Sequence, residues 1–488
     1  MWYPGFCGPS NPSQSVLADA EVTKNLYVEQ IQSRFAPAET ALYPCPGFST
    51  FLTVPQVGTR ALFAMADECY GVVGSKFYEL FSTGAYLERG TVSVDANPAT
   101  ISSNGDIGHQ IGITSGANWY NYDRTSKAFS QVAAMNGKAT QGGMKDGYFL
   151  CFDVLTGSVF VSNLDDGTTW TTLTDYFQRA IAPDPWRAMV VGNPYIHMLG
   201  EQTSEAWYNA GNSPQPFAPI LSSFMQYGTP APFAAGMAED ALTFLGRDKN
   251  GQGTVISTQG YTPTPISNYA VETAIQAYAR GGSISNAEIL IYQDQGHLFG
   301  NFSFPNSNGT WTADINGGAL WHQRSYWNAA AMREEAWRPR CHCYAFGRHL
   351  TGDRSSGTIA VMDTSLGSEV DGSVIRRTRV GPPIWASSRQ RLQVGRFQLQ
   401  VEPGLGVATG QGSNPVVMLR TSKNGKTWSN ERQAAVGPMG RYGTRVYWTR
   451  CGDSSKLWMP EVTMTDPIPW RISGAELEGR GFASLKAA

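Results

Sequence analysis

The chain has 488 residues, of which 41% are hydrophobic and only 16% are charged, against roughly 25% charged residues in an average globular domain. Gly is abundant at 53 residues, and aromatic residues reach 12% with 14 Trp. This composition favours short strands joined by tight turns, with aromatic rings between sheets, over a helical bundle. The net charge of −2 excludes a broad electrostatic affinity for nucleic acid or anionic membranes.

The N-terminal sequence and the cysteines bear on where the protein is made. The first 23 residues contain no Lys or Arg, so no secretory signal is predicted. No apolar run approaches the ~20 residues that a membrane span requires. The cysteines are odd in number and form no CxxC pair, which predicts reduced thiols in a cytoplasm-made protein. They are Cys7, Cys45, Cys69, Cys151, Cys341, Cys343 and Cys451.

Residues 1–50 are rich in Pro, Gly and aromatic side chains. Because Pro fixes φ and removes a hydrogen-bond donor, this stretch predicts an extended N-terminal arm. Trp2, Tyr3 and Phe6 would be costly to leave in water. They are therefore candidate interface residues that pack either on their own domain or on a neighbouring subunit.

From residue 51 to residue 470 the sequence repeats one rhythm, a short β-branched or aromatic run followed by a Gly, Asn or Asp turn. Runs at roughly 8–12-residue spacing predict a sandwich, barrel or propeller. A helical pattern near 267–280, with Ser267 as a possible cap, predicts a helix inserted between strands. Residues 471–488 are expected to form a C-terminal tail.

Three turns end in Trp and are related to the S/T-x-D-x-G-x-T-W pattern of sialidase Asp-boxes. The turn at 163–170 follows it with Asn163 at the first position, the turn at 421–428 has Lys423 in place of the Asp, and the turn at 306–311 is a shortened relative. In this pattern an Asp accepts turn N–H groups, Gly takes a positive φ and Trp packs under the hairpin. Such turns recur in propeller blades, so a structural role is favoured over a catalytic one, and their irregular spacing leaves the blade count open. The pattern residues are Asn163, Asp165, Gly167, Thr169 and Trp170; Gly309 and Trp311; and Thr421, Gly425, Thr427 and Trp428.

Several other constellations do not support chemistry. NGKT at 424–427 lacks the earlier Gly of a P-loop. Cys341, His342 and Cys343 with His349 resemble only half of a zinc site. We therefore predict no catalytic, cofactor-binding or metal-binding residues. The alternating Arg376, Arg377 and Arg379 are interpreted as a solvated strand face rather than a nucleic-acid-binding strip.

A sialidase-like hydrolase is the strongest enzymatic alternative, because the Asp-box turns are typical of that fold. Its chemistry needs clustered Arg, acid and base carboxylates, and a Tyr nucleophile. Arg187, Glu205 and Tyr208 are present, but no segment organises them.

Several segments together resemble the packaged-DNA stabilisation proteins, or tail hubs, of short-tailed bacteriophages. The opening WYPGFCGPSNPSQSVLADAEVTKNLY (2–27), the central GEQTSEAWYNAGNSPQPF (200–217) and the closing GQGSNPVVMLRTSKNGKTWSNE (410–431) look like those of the family. The resemblance keeps its order over roughly residues 2–470. Lys423 departs from the acidic turn residue usual in the family, and Cys451 departs from a Leu-rich closing segment.

The resemblance implies a mainly β, propeller-like virion protein without cofactor or enzymatic activity. It implies a ring, usually of six copies, below the portal and its adaptor in the virion tail, assembled in the host cytoplasm. Expected partners are the adaptor, the tail needle or plug, and tailspikes. DNA would pass through the channel without sequence-specific binding, and no membrane is involved. A glycan-active or glycan-binding propeller is the alternative.

Overall fold

The computed structural model describes residues 1–33, 38–213, 215–247, 249–251, 253–387 and 390–482, which are mainly β. The first five strands supply pieces to both halves of the molecule. They are β1 (Asn11–Pro12), β2 (Ala20–Lys24), β3 (Leu26–Gln30), β4 (Thr40–Pro44) and β5 (Gly47–Thr53).

Seven sheets, here called blades, then follow one another in the described part of the chain. Blade one contains β6 (Thr59–Met65), β7 (Glu68–Val73), β8 (Lys76–Leu80) and β9 (Tyr86–Thr91). Blade two contains β10 (Thr100–Ser103), helix α1 (Gly105–Gly108), β11 (Gln110–Ser115), β12 (Asn118–Asp123) and β13 (Phe129–Gln131). Blade three contains β14 (Gln141–Lys145), β15 (Tyr148–Asp153), β16 (Ser158–Leu164), β17 (Asp166–Trp170) and β18 (Tyr176–Gln178).

The next blades have the same antiparallel order. Blade four contains β19 (Trp186–Val191), β20 (Ile196–Gly200), β21 (Ser204–Asn209) and β22 (Phe217–Pro219). Blade five contains β23 (Ala235–Ala238), β24 (Ala241–Arg247), β25 (Gly253–Gln259) and β26 (Thr262–Pro265), and helix α2 (Tyr269–Gly281) follows it. Blade six contains β27 (Glu288–Asp294), β28 (His297–Phe304), β29 (Gly309–Asp314) and β30 (Leu320–Gln323). A hairpin of β31 (Tyr326–Asn328) and β32 (Arg333–Glu335) leads to blade seven, with β33 (Pro339–Ala345), β34 (Arg348–Asp353) and β35 (Thr358–Asp363).

The blades form a closed propeller. The first strand of each blade contacts the first strand of the next, and β33 contacts β6. Aromatic rings fill the spaces between blades. For example, the ring centroids of Tyr70 and Phe77 of blade one lie 5.8 and 5.5 Å from the ring centroid of Tyr122 of blade two. The prediction of a mainly β, propeller-like fold is confirmed, and the blade count left open by the sequence is seven in the described part of the chain.

The ring is closed by a strand from the N-terminal side of the propeller. Strand β5 pairs antiparallel with β35, from Gly47 opposite Asp363 to Thr53 opposite Thr358, and so completes blade seven. Because blade one follows β5 directly in the chain, this pairing joins the two ends of the propeller.

Replacement of Gly47 with alanine should weaken this closure. A Cβ at Gly47 would lie 2.6 Å from the Leu366 carbonyl oxygen, so the backbone must shift. We expect the free energy of unfolding to fall by about 1–3 kcal/mol, as for overpacked positions. Equilibrium urea unfolding measures it. Gly443→Ala is the matched control, because a Cβ at that position would have no atom within 4 Å. Equal losses in both variants would contradict the role of Gly47.

The remaining strands build a two-sheet sandwich from both ends of the chain. They are β36 (Arg377–Val380), β37 (Ile384–Trp385), β38 (Leu392–Val401), β39 (Val416–Ser422), β40 (Arg432–Ala435), β41 (Val446–Ser454), β42 (Leu457–Met464) and β43 (Ile472–Arg480). One sheet has the order β3-β4-β43-β38-β41, and the other runs β2-β36-β42-β39-β40. The second sheet continues into blade six, because Lys24 of β2 pairs in parallel with Gln323 of β30.

The structure differs from the predicted division at both ends of the chain. Residues 1–50, predicted to form an extended arm, instead supply sheet strands, since β2, β3 and β4 belong to the sandwich and β5 belongs to the propeller. Residues 472–480 form β43, a central strand between β4 and β38, where a tail was expected. The rest of the predicted tail, 483–488, lies outside the described residues.

Helix α2 lies between blades five and six, where the sequence predicted an insertion. The predicted cap is wrong, because the side chain of Asn268, not Ser267, accepts from Val271 N at 3.0 Å. Ser267 Oγ instead accepts from Val255 N and donates to Glu272, tying the helix start to blade five.

Candidate functional site

The turn at 163–170 links blades two and three, with a different Asp in the accepting role from the one predicted. Asp166, not Asp165, accepts from the Thr168 amide at 2.9 Å and its hydroxyl at 2.6 Å. Burial raises the pKa of Asp166, but hydrogen bonds from Thr168 and Thr169 outweigh it and hold that pKa below its usual value. Asp165 instead takes the positive φ of 54° that the pattern assigns to Gly.

Two indole rings converge on this turn. Trp170 Nε1 donates to the Gly167 carbonyl at 2.9 Å, and Trp119 Nε1 of blade two donates to the same oxygen at 2.8 Å. The Gly167 amide donates to Gln110 Oε1, also from blade two, at 2.6 Å. Asn163 pairs with Asp166 across the hairpin. These polar groups of the turn are used for packing within blade three and against blade two.

The other two Trp-ending turns lie in different parts of the fold. Gly309 and Trp311 are in blade six, where Gly309 leaves room for Tyr278 of α2 and Trp311 is buried. The turn at 421–428 lies in the sandwich, where it begins in the last two residues of β39, and not between propeller strands.

In the sandwich turn, Asn424 takes the place of the missing acidic residue. Its Oδ1 accepts from the amides of Lys426 at 2.9 Å and Thr427 at 2.8 Å, while Gly425 has a φ of 72°. Thr421 N donates to Ser429 Oγ at 3.0 Å, and Trp428 is half-buried.

The inner strands of the propeller surround a central cavity. It has a volume of about 370 Å³ and is lined by residues of all seven inner strands. The polar and charged residues of its lining include Arg60, Gln141, Glu288 and Arg340. A cavity of this size is small beside duplex DNA, whose major groove alone is about 12 Å wide. DNA therefore does not fit through an individual propeller.

The charged residues of this lining are engaged with one another and with the backbone. Glu288 of blade six pairs with Arg340 at 2.6 Å and with Arg354 at 3.2 Å, both from blade seven. Arg340 also donates to the Ala96 carbonyl at 2.7 Å, and Arg60 pairs with Asp95. These bonds tie blades six, seven and one together at the point where the ring closes.

Two of the three residues considered for enzymatic chemistry are engaged with other partners. Arg187 pairs with Glu201 at 3.2 Å, while Glu205 is buried and accepts from the amides of Ala180 and Ile181. Tyr208 is 42% exposed on β21.

The Cys341, His342, Cys343 and His349 constellation lies on β33 and β34 of blade seven. His342 Nε2 lies 3.0 Å from His349 Nδ1, and burial lowers the pKa of His342 to about 3. Among the residues with described positions, no group of three His, Cys, Asp or Glu side chains could hold a metal ion. No helix in the same ranges is long and apolar enough to cross a membrane.

The N-terminal aromatic residues are packed inside their own sandwich. Tyr3 and Phe6 are each 1% exposed, and both rings contact Phe397, with centroids 6.4 and 5.8 Å away. Trp2 is half-buried over Gly474. Of the two alternatives left open by the sequence, the structure has these rings on their own domain.

Arg377 and Arg379 are buried, so the interpretation of a solvated strand face is wrong. They are 1% and 0% exposed, and Arg376 lies over the Trp327 ring at 4.9 Å. Alternation is typical of an exposed face, but here β36 is a central strand with the N-terminal segment folded over it. The five acceptors of Arg379 are the carbonyls of Gly5, Phe6 and Pro9, Thr23 Oγ1 and Glu21 Oε2.

A buried carboxyl near blade seven should make stability depend on pH. Burial, with a smaller contribution from Asp371, raises the pKa of Glu369 to about 8, and its Oε2 has no hydrogen-bond partner. Between pH 5 and 8 the folded state keeps a proton that the unfolded state, with a pKa of about 4.3, loses. Stability is therefore lost as pH rises through this window, by up to about 1.4 kcal/mol per unit.

Glu369→Gln should flatten that dependence, because an amide does not titrate. Urea unfolding at pH 5, 6.5 and 8 should show the free energy of unfolding of the variant increasing relative to that of the unsubstituted chain as pH rises. Glu431→Gln, at an exposed position, should leave the slope unchanged. If the free energy of unfolding changed with pH in parallel for the chain and for Glu369→Gln, Glu369 would not be the group that causes the pH dependence.

The geometry thus defines a two-part β-scaffold, a closed propeller and a sandwich whose buried charges cross-link elements far apart in the chain. Two family models match it, described as bacteriophage P22 Gp10, beta-propeller, over residues 22–367, and bacteriophage P22 Gp10, beta-sandwich, over residues 380–480. The chain belongs to this family of structural bacteriophage tail proteins, associated with stabilisation of packaged DNA, and the resemblance noted in the sequence is confirmed. No curated protein matches the chain.

Solved structures with a similar overall course are remote. The extracellular domain of the hybrid two-component system BT4673 from B. thetaiotaomicron has a TM-score of 0.43 and 9% identity, covering 82% of this chain and 47% of that one. The N-terminal domain of Nup159 has a TM-score of 0.38 and 9% identity, covering 70% and 98%. The computationally designed Ika8 protein has a TM-score of 0.36 and 10% identity, covering 64% and 98%.

Proposed function

We propose that this chain is the tail hub of a short-tailed bacteriophage. Several copies, six by the resemblance, form a ring below the portal and its adaptor. The ring connects to a tail needle or plug and to tailspikes, retains the packaged genome and takes part in its release. In this proposal the chain is not an enzyme, and the virion tail that it joins is assembled in the host cytoplasm.

The observation that carries the proposal is membership of a structural phage family over both halves of the chain. The fold agrees with a load-bearing role, because each blade packs on two neighbouring blades and strand pairing joins the two ends of the propeller. A ring of copies would need one heterologous interface per subunit. Since an individual propeller is too narrow for DNA, the genome would pass along the axis of the ring.

Particles assembled with and without this chain test the proposal. Without it, we expect heads that package DNA but lose it, measured as nuclease-sensitive DNA after purification. Light scattering of the purified chain, alone and with its adaptor, should show a ring of about six copies. Particles that retain their genome without the chain would contradict the hub, as would a chain that stays solitary and joins no tail component.

The glycan-active alternative is tested with the same preparation. The Asp-box-like turn at 163–170 is the feature that it shares with sialidases, but the Asp166 carboxylate and the Trp170 indole N–H of that turn are used in packing. Incubation with host envelope polysaccharide should release no sugar. Release that is abolished by Glu205→Gln would favour the hydrolase instead.

A further inference from the structure

Charge is divided unequally between the two halves of the chain. Residues 45–371, which contain the propeller, have 18 Lys and Arg against 28 Asp and Glu, a net charge of −10. Residues 372–488, which contain most of the sandwich, have 17 against 7, a net charge of +10. The near-neutral net charge of the whole chain therefore conceals an acidic part and a basic part.

The positive charge is concentrated in one stretch of the sandwich. Residues 420–456 carry eight Lys and Arg against two Asp and Glu. Strand β41 is the last strand of one sheet, and β40 is the last strand of the other. Arg432 joins them, donating to the Thr449 carbonyl at 2.7 Å. We give the name basic edge to the exposed cations on and beside these two strands, which are Lys423, Lys426, Arg432, Arg441, Arg445 and Arg450.

Most cations of the basic edge face solvent without a counter-charge. All six residues are exposed. Lys423 lies 3.6 Å from Asp453, but in the described ranges no carboxylate lies within 4 Å of Lys426, Arg441, Arg445 or Arg450. Since the nine-residue β41 spans about 30 Å and DNA phosphates recur every 3.4 Å along one strand, the edge is long enough to follow several phosphates.

Protection of an edge strand against aggregation explains part of this charge but not all of it. Natural edges are often blunted by a charged residue on the strand itself. Arg441 and Arg445, however, lie in the loop before β41, beside Met439 and Tyr442, which are 60% and 73% exposed. The Tyr442 ring lies close against Gly404, so one side of the ring packs on the backbone.

We propose that the basic edge binds the phosphate backbone of duplex DNA without sequence preference. Unpaired guanidinium and ammonium groups with adjacent aromatic rings are the surface that such binding uses. The acidic propeller repels DNA and so orients the sandwich toward it. The inference rests on the proposed function, since a tail hub is where packaged DNA would meet this surface.

Fluorescence anisotropy with a labelled duplex of about 30 base pairs, measured from about 50 to 200 mM salt, tests the proposal. The purified chain should bind with a steep salt dependence. Each lost phosphate contact makes the negative slope of log K against log salt shallower by about 0.9. R441Q/R445Q should therefore reduce the magnitude of the slope by about 1.8. R179Q/R280Q removes the same charge from exposed positions of the propeller and should leave the slope unchanged.

Three results would overturn the proposal: no salt-dependent binding by the unsubstituted chain, equal losses in both double variants, or normal DNA binding by R441Q/R445Q with lost self-association. The last would make the basic edge a contact between copies. If rings form and particles keep their DNA while R441Q/R445Q binds DNA normally, the hub stands and the DNA contact fails. If the chain binds DNA but never joins a tail component, the hub fails instead.

Discussion

Replacing Arg379 with methionine should lower the free energy of unfolding of the sandwich by about 3–5 kcal/mol, the range for removal of one member of a buried ion pair. The guanidinium is fully buried and donates to Glu21 Oε2 at 2.8 Å. Burial raises the pKa of Glu21, and Arg379 opposes that rise. Without the arginine the carboxyl group is left buried without its cation, and three backbone carbonyls lose a charged donor.

Urea unfolding combined with hydrogen exchange measures the effect and localises it. Protection should fall in peptides from β2, β36 and the N-terminal segment, while blades two to five keep theirs. Arg391→Met is the matched control, because Arg391 is 70% exposed beside Asp453 and should change stability by no more than about 0.5 kcal/mol. A loss spread evenly over propeller and sandwich would contradict a local role for Arg379.

The double variant Glu21→Gln with Arg379→Met separates the ion pair from the rest of the network. Removing both charges avoids an uncompensated carboxylate, so the double variant should be more stable than Arg379→Met alone. The double-mutant cycle gives the coupling directly. Additive losses would show that the carbonyl acceptors, and not Glu21, account for the effect of Arg379.

The propeller could be predicted from the sequence because its information is local. Strand-length runs, Gly turns and Trp-ending hairpins lie within about ten residues of one another. The blade count could not be predicted, because of the three Trp-ending turns only those at 163–170 and 306–311 lie in blades. The closure could not be predicted either, since β5 and β35 are about 300 residues apart and no local pattern specifies their pairing.

The sandwich was missed because its strands have the same rhythm as the blades. Its sheets combine β2 with β36 and β4 with β43, pairs that join opposite ends of the chain. The Pro-rich opening suggested an arm, although Pro is also tolerated where a segment is held by side chains instead of ladder bonds. Arg379 supplies those bonds, and nothing in the RRTR run distinguishes a buried arginine from a solvated one.

Replacing Phe6 with alanine should lower the free energy of unfolding by about 3–5 kcal/mol, the cost of truncating a buried Phe. The ring is 1% exposed, packs against Tyr3 with centroids 5.4 Å apart, and lies under the Arg379 guanidinium at 5.8 Å. Gly381 leaves it room, since a Cβ there would approach the ring to 2.9 Å. Because these groups enclose the ring, the space left by its truncation can close only in part.

Tyr269→Ala is the matched control, because Tyr269 is 87% exposed and its loss should change stability by no more than about 0.5 kcal/mol. Urea unfolding of the isolated chain measures both variants. If Phe6→Ala left the isolated chain as stable as before and weakened only the ring, the aromatic residues would act between subunits. A loss already present in the isolated chain requires that Phe6 stabilises its own sandwich, so any effect on a ring would follow from the folding of each copy.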